Sequence, residues 1–197
     1  MIRALEARAK REAWPENGVV KAQVMDSADL SGFRDDMFTH AYMAAAIFLV
    51  PDPAKAAAEI KRTLKPGGVA LVTSFRKQGI WEVFQDAQKA IRPDVPAWQG
   101  PMPGEWSTEG KLRAVMESGG FEAAKVEIRR HSSGVVGEEW SKPASALLRE
   151  AFTKSITNGW SEEEEGRFAE KLMEDLESER VKSRSYEMKV WVAVARK

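Results

Sequence analysis

Apolar residues recur along the chain with two periods, and the changes of period mark its elements. Ile2, Leu5, Ala9 and Ala13 return every three or four residues, which predicts a helix over 2–13 ended by Pro15 and Asn17-Gly18. Residues 19–25 form an apolar, β-branched run of strand length that stops at Asp26. A second run, 38–44, follows the polar turn Arg34-Asp35-Asp36. Residues 53–64 read as a helix, with Asp52 as its cap and Pro53 at its first position. Lys65-Pro66-Gly67-Gly68 reads as a turn, and 69–75 as a third strand.

Strands of near-continuous apolar character separated by helices predict an α/β fold with a parallel sheet covered on both faces. A helix over 80–91 continues the alternation, and the Pro-, Gly- and Trp-rich stretch 93–106 predicts a long ordered loop or lid. Ser107 is placed to cap a helix to Ser118, which Gly119-Gly120 terminates. Residues 121–130 and 186–195 alternate as strands. Between them lie helices predicted over 138–156 and 161–180, with Leu147, Leu148 and Phe152, then Phe168, Leu172 and Leu176, on their inward stripes. One domain over 1–197 is expected.

Composition narrows the chemistry. Lys plus Arg and Asp plus Glu both number 30, so neither nucleic acid nor an anionic membrane is an expected partner. There are no cysteines and only two histidines, His40 and His131, which leaves no thiolate chemistry and no expected metal site. No apolar run approaches the length needed to span a bilayer, and the N-terminal segment carries Glu6 and Glu12, unlike a transit peptide. A cytoplasmic protein is the expectation.

The order of parts over residues 19–75 resembles the middle of a class I S-adenosylmethionine-dependent methyltransferase of the type 11, UbiE-like group. The parts are the strand ending at Asp26, Leu30, Asp36 with Phe38, Pro51-Asp52, and Arg62-Thr63-Leu64-Lys65-Pro66-Gly67-Gly68. The resemblance implies a Rossmann-like sheet of order 3-2-1-4-5-7-6 with an antiparallel seventh strand. It implies S-adenosylmethionine as cofactor, and a methyl-transfer activity that needs alignment and water exclusion more than acid–base groups. The family's cofactor site opens with a strand and a GxGxG-type turn, and a second strand ends in an acid for the ribose. No G-x-G spacing occurs in these 197 residues, and MIRALEARAK resembles the helix after that second strand.

The sheet is therefore expected to be incomplete, its first two strands missing, with a C-terminal helical insertion and final antiparallel strands. Residues 1–76 would be a remnant cofactor half, and 77–197 a substrate half with the loop 93–106 and the helices within 138–180. Two missing strands would leave a gap of roughly 14 Å, three spacings of about 4.8 Å, with unpaired edges. The strand at 19–25 is expected to pair directly with that at 38–44, or with a second copy or partner chain that completes the sheet.

By resemblance, Asp26, Ser27 and Ala28 would contact the adenine, and Met43, Ala44 and Ala45 the methionine side. The plainer reading of Asp26 is a turn cap, and of the alanines ordinary core. Trp81, Trp98, Trp106 and Trp140 are candidates to wall an apolar substrate cavity, or else pack the loop onto the body. His131 is a candidate general base, while His40 reads as a sheet-face residue. The functions that follow are a methyltransferase-like protein acting on a small apolar metabolite, a cofactor-free relic serving as a binding or partner subunit, or a non-methylating catalyst. Weak or absent binding of S-adenosylmethionine is expected.

Overall fold

The computed structural model describes residues 21–100, 102 and 104–197. The expected helix at 2–13 and the start of the expected strand at 19–25 lie outside the described residues. Helix α1, Pro53–Thr63, forms as its sequence dictates. The Lys55 amide donates to Asp52 Oδ1 at 2.9 Å, Pro53 occupies the first turn, and Ala56, Ala57, Ile60 and Thr63 face inward. Strand β1, Phe38–Met43, precedes it, and β2, Leu64–Gln78, follows without a break.

The Lys65–Gly68 segment is a bulge carried within β2 rather than a turn between elements. Phe38 pairs with Leu64 but His40 with Val69, so β2 spends five steps where β1 spends two. Gly67 takes φ of 76°, and a Cβ on Gly68 would lie 2.8 Å from the Lys65 carbonyl oxygen, so both positions require glycine. The last residue closes this corner: Gly67 N donates to Lys197 O, and Lys197 N to Gly68 O.

Strand β3, Val126–Val136, and β4, Ser185–Arg196, complete a sheet of order β1-β2-β4-β3. β1 and β2 are parallel, while β4 runs antiparallel to both β2 and β3. This is the 4-5-7-6 portion of the expected order, with the antiparallel strand where it was expected. β3 begins five residues later and ends six later than the run 121–130. Residues 123–125 tighten into a 3-10 turn, and the polar stretch 131–136 stays in register along β4.

One face of the sheet, formed by Ala70, Val72, Ala193, Ala195 and Val126, packs on α1 and on α3, Glu109–Ser118. Small residues on the strands let the helices approach closely, and Leu112, Met116, Phe48 and Trp106 fill the layer. Thr108, not Ser107, caps α3: its Oγ1 accepts from Lys111 N at 3.3 Å, while the Ser107 hydroxyl donates to Gly104 O.

A second core lies at the other end. It joins α2, Trp81–Ile91, to α4, Glu138–Ser141, α5, Ala146–Ile156, α6, Glu162–Glu177, and α7, Glu179–Lys182. Phe84, Trp98, Phe152, Phe168, Leu172, Leu176 and Val181 are buried in it. The helices α4 to α7 form the insertion expected between the last two strands. Pro143 divides 138–156 into α4, a 3-10 turn and α5, because proline cannot donate into a helix interior. Ser161 and Glu164 form a reciprocal capping box that starts α6. Leu147 and Leu148 were expected to face inward, yet they are 66% and 52% exposed, and Phe152 with Ile156 forms the buried stripe.

Residues 21–25 form no strand, and Val24 is 85% exposed, which corrects the expected pairing of 19–25 with 38–44. The physical reason lies in the connection. Residues 26–29 and 30–33 close in tight turns, and 30–35 are hydrogen-bonded down onto α1, so the segment does not arch over the sheet. Among the described residues, β1 pairs on one side only.

Candidate functional site

The outer edge of β1, α1 and the turn 27–30 enclose a groove of about 300 Å³ lined by Ser27, Leu30, Phe38, His40, Ala41, Tyr42, Met43, Ile60 and Thr63. Strand alternation explains the β1 residues: Ala41 and Met43 turn toward the α1 side and His40 and Tyr42 toward the other, so both faces of the strand border it. The lining is mainly apolar. Its polar atoms are the Ser27 and Tyr42 hydroxyls, the His40 ring and the Thr63 hydroxyl, which already donates to the Glu59 and Ile60 carbonyls.

The corner at the end of β1 carries backbone strain. Ala45 adopts φ of 48°, the left-handed region that costs a non-glycine residue about 1 kcal/mol, and its amide donates to Thr73 Oγ1 at 2.8 Å. The chain then turns into a 3-10 segment that buries Ile47 and Phe48. This redirects the backbone at the C-terminal edge of the strands, where open α/β sheets bind ligands.

Of the six residues expected to hold the cofactor, the structure brings Ser27 and Met43 into the groove. Asp26 lies outside it, exposed, with Oδ1 accepting from Ala28 N at 2.9 Å as a turn cap does. Ala28 is buried beside the turn, and Ala44 lies exposed at the strained corner. Leu30, Phe38, Ile60 and Thr63 were not singled out as site residues. The alternation of β1 and the inward stripe of α1 are the signals that point to them.

Charge is confined to the rim. Glu59 is hydrogen-bonded by the Arg62 guanidinium, which holds its carboxyl below the usual range, against a smaller opposing effect of burial. Asp29 is lowered chiefly by the hydrogen bond from the Ser31 side chain. Among the described residues, no cluster of three or more histidines or acids is arranged to hold a metal ion.

The four tryptophans divide between the two cores. Trp98 contacts Trp81, Phe84 and Phe152 at ring-centroid distances of 5.6, 5.9 and 5.2 Å, and Trp140 contacts Phe84 and Phe152 at 6.0 Å. Trp106 belongs to the sheet core, against Phe48. Within the stretch 93–106, residues 96–98 are fastened to α2 and α5. Gln88 accepts from Trp98 N at 2.7 Å and donates to Pro96 O at 3.0 Å, Gln85 donates to Trp98 O at 2.6 Å, and the Trp98 indole donates to Ser155. His131 lies in the middle of β3, not at a strand end, and its side is exposed. No described helix is long and apolar enough to cross a membrane.

Residues 1–72 match a methyltransferase domain family. Over 126 residues, 64% of this chain, the sequence is 33% identical to methyltransferase ucsB of Acremonium sp. Over 187 residues, 91% of the chain, it is 26% identical to methyltransferase tpcH of Aspergillus fumigatus. Those alignments span 41% and 64% of the two relatives' own lengths. In fold, the chain is similar to the YcgJ protein of Bacillus subtilis, with a TM-score of 0.54 at 16% identity, covering 100% of this chain and 78% of that one. A Bacillus halodurans C-125 protein gives 0.50 at 19% identity over 96% of this chain and 76% of its own. Residues 1–72 are therefore similar to a methyltransferase domain, and the fold of the chain is similar to that of these two solved proteins.

Proposed function

We propose that this chain is the core of a methyl-transfer enzyme that uses S-adenosylmethionine and acts on an O, N or C nucleophile of a small apolar metabolite. The observation that carries the reading is the groove along β1, where Ser27 and Met43 come together inside the segment matched to the methyltransferase domain. When bound, the cofactor supplies a methyl group on a sulfonium, already a good leaving group. The chain's own residues bind and orient: Leu30, Phe38 and Ile60 offer apolar walls to a flat heteroaromatic ring, and Ser27 one hydroxyl. Among the described residues the lining includes no carboxylate, so it suits the adenine end of the cofactor and offers nothing specific to the ribose diol or the amino acid end. The helical cap of α2 and α4 to α7 is then the substrate side, its shape fixed by the packed Trp81, Trp98 and Trp140.

The test uses the whole chain with methyl-labelled S-adenosylmethionine and a set of phenolic, amine and carboxylate acceptors. Protein-dependent transfer of label to an apolar acceptor supports the reading. Absence of both transfer and any binding at millimolar cofactor would sink it. A second reading, a cofactor-free binding subunit, is favoured by the β1 edge that no described strand covers. A chain silent toward the cofactor that forms a stable complex through that edge would replace the first reading with the second.

A further inference from the structure

We infer that Arg62 and Glu59 are positioning residues that hold the wall of the β1 groove in place, an assignment that rests on the cofactor reading above. Arg62, on the last turn of α1, does not line the groove. Its guanidinium is fully engaged. Nε and Nη2 donate to the two Glu59 carboxylate oxygens at 2.7 and 2.8 Å, Nη1 to Asp35 Oδ1 at 2.7 Å and Phe33 O at 2.9 Å, and Nη2 to Leu30 O at 2.9 Å. Glu59 Oε2 also accepts from Leu30 N at 2.7 Å. The pair therefore grips both backbone groups of Leu30, a groove residue, and two further points of the loop that leads to Phe38.

The segment has little else to fix it. Beyond Ser27, Ala28 and Leu30 it is largely exposed, with only Phe33 half-buried, packed edge-on against Phe38 at 5.0 Å. Downstream, the Asp36 and Met37 amides donate to the Arg62 and Thr63 carbonyls, so α1 carries the loop from end to end. A planar, five-donor fork suits this arrangement because the acceptors lie on two sides of it. A lysine ammonium can replace one or two of these bonds but not the set.

The experiment compares amide exchange and a ¹⁵N titration with S-adenosylmethionine for the intact chain, Arg62→Leu, Arg62→Lys and Leu176→Ala, the last a cavity variant in the cap. The expected result is that both Arg62 variants weaken the response of Ser27 and Met43 by about tenfold or more, the loss of several charge-assisted bonds. Exchange at Leu30 and Phe33 should also accelerate, while Leu176→Ala leaves both readouts at wild-type values. Should Arg62→Leu fail to fold, Glu59→Gln with Arg62→Lys makes the same comparison. A wild-type titration and a protected loop in the Arg62 variants overturn the inference alone, as does an equal loss in Leu176→Ala. A wild-type chain that does not respond to the cofactor overturns the cofactor reading, and the inference with it.

Discussion

Replacing Phe84 with alanine should separate the two cores of this molecule. Phe84 is fully buried in the cap, with ring contacts to Trp98, Trp140 and Phe152 at 5.9, 6.0 and 5.6 Å. Truncating such a side chain removes its transfer free energy and leaves a cavity, at a cost of about 3–5 kcal/mol. The surrounding rings are large and tied by Gln85, Gln88 and Ser155, so the site collapses poorly and the upper half of that range, about 4 kcal/mol, is expected. A loss of that size is a large share of the roughly 5–15 kcal/mol of a whole domain. It falls on the cap, because the sheet core shares none of these buried residues. Urea unfolding followed by tryptophan emission should then show an early step from Trp81, Trp98, Trp140 and Trp160 and a later one from Trp106 and Trp191. Leu112→Ala should weaken the later step instead. A single transition shifted by less than about 1 kcal/mol would refute the reasoning.

S-adenosylmethionine should bind the 197-residue chain with a Kd weaker than about 100 μM, since among the described residues the groove offers no partners for the ribose and amino acid ends, at about 1–3 kcal/mol each; calorimetry giving low micromolar values contradicts this. Tyr186→Phe should leave the thermal midpoint unchanged or raise it slightly, because its buried hydroxyl finds no partner among the described residues and its removal relieves up to about 1 kcal/mol. A midpoint several degrees lower would show that the hydroxyl is satisfied. Glu59 is held ionised below its unfolded value of about 4.3, so its contribution is present above that pH and is lost as pH falls through the lowered folded value. Glu59→Gln should accordingly flatten the acid side of the urea midpoint measured from about pH 6 to pH 3.

Much of the scaffold was legible because its signals are local. Asp52-Pro53 and the alternating β4 run each name an element by a mechanism that works within one or two turns. Strand order followed from the resemblance, which local patterning does not encode. The misreadings share another cause. The run 19–25 has strand composition, but a strand exists only where a partner accepts its hydrogen bonds, and no local feature announces the partner. His131–Ser133 shows the converse, polar residues held in a strand because β4 offers eleven consecutive pairings along β3. Of the groove residues, Ser27 and Met43 are ones the resemblance had singled out. Arg62 remained a motif letter, since nothing in its neighbours along the chain shows that it reaches back to residues 30–35.

The placement of β4 between β2 and β3 has a consequence for how the protein is made. During synthesis β2 and β3 emerge well before residues 185–196, and neither bonds to the other in the finished sheet. Val69 finds its partner Arg196 only across 126 intervening positions. Until then β2 and β3 each lack the neighbour that β4 provides, and both keep an open edge on that side. Closure of the sheet is thus a single late event of high contact order, slow compared with the helices and prone to off-pathway association. A ribosome stalled before Ser185 should display a protease-sensitive chain, and emergence of residues 185–196 should confer resistance in one step.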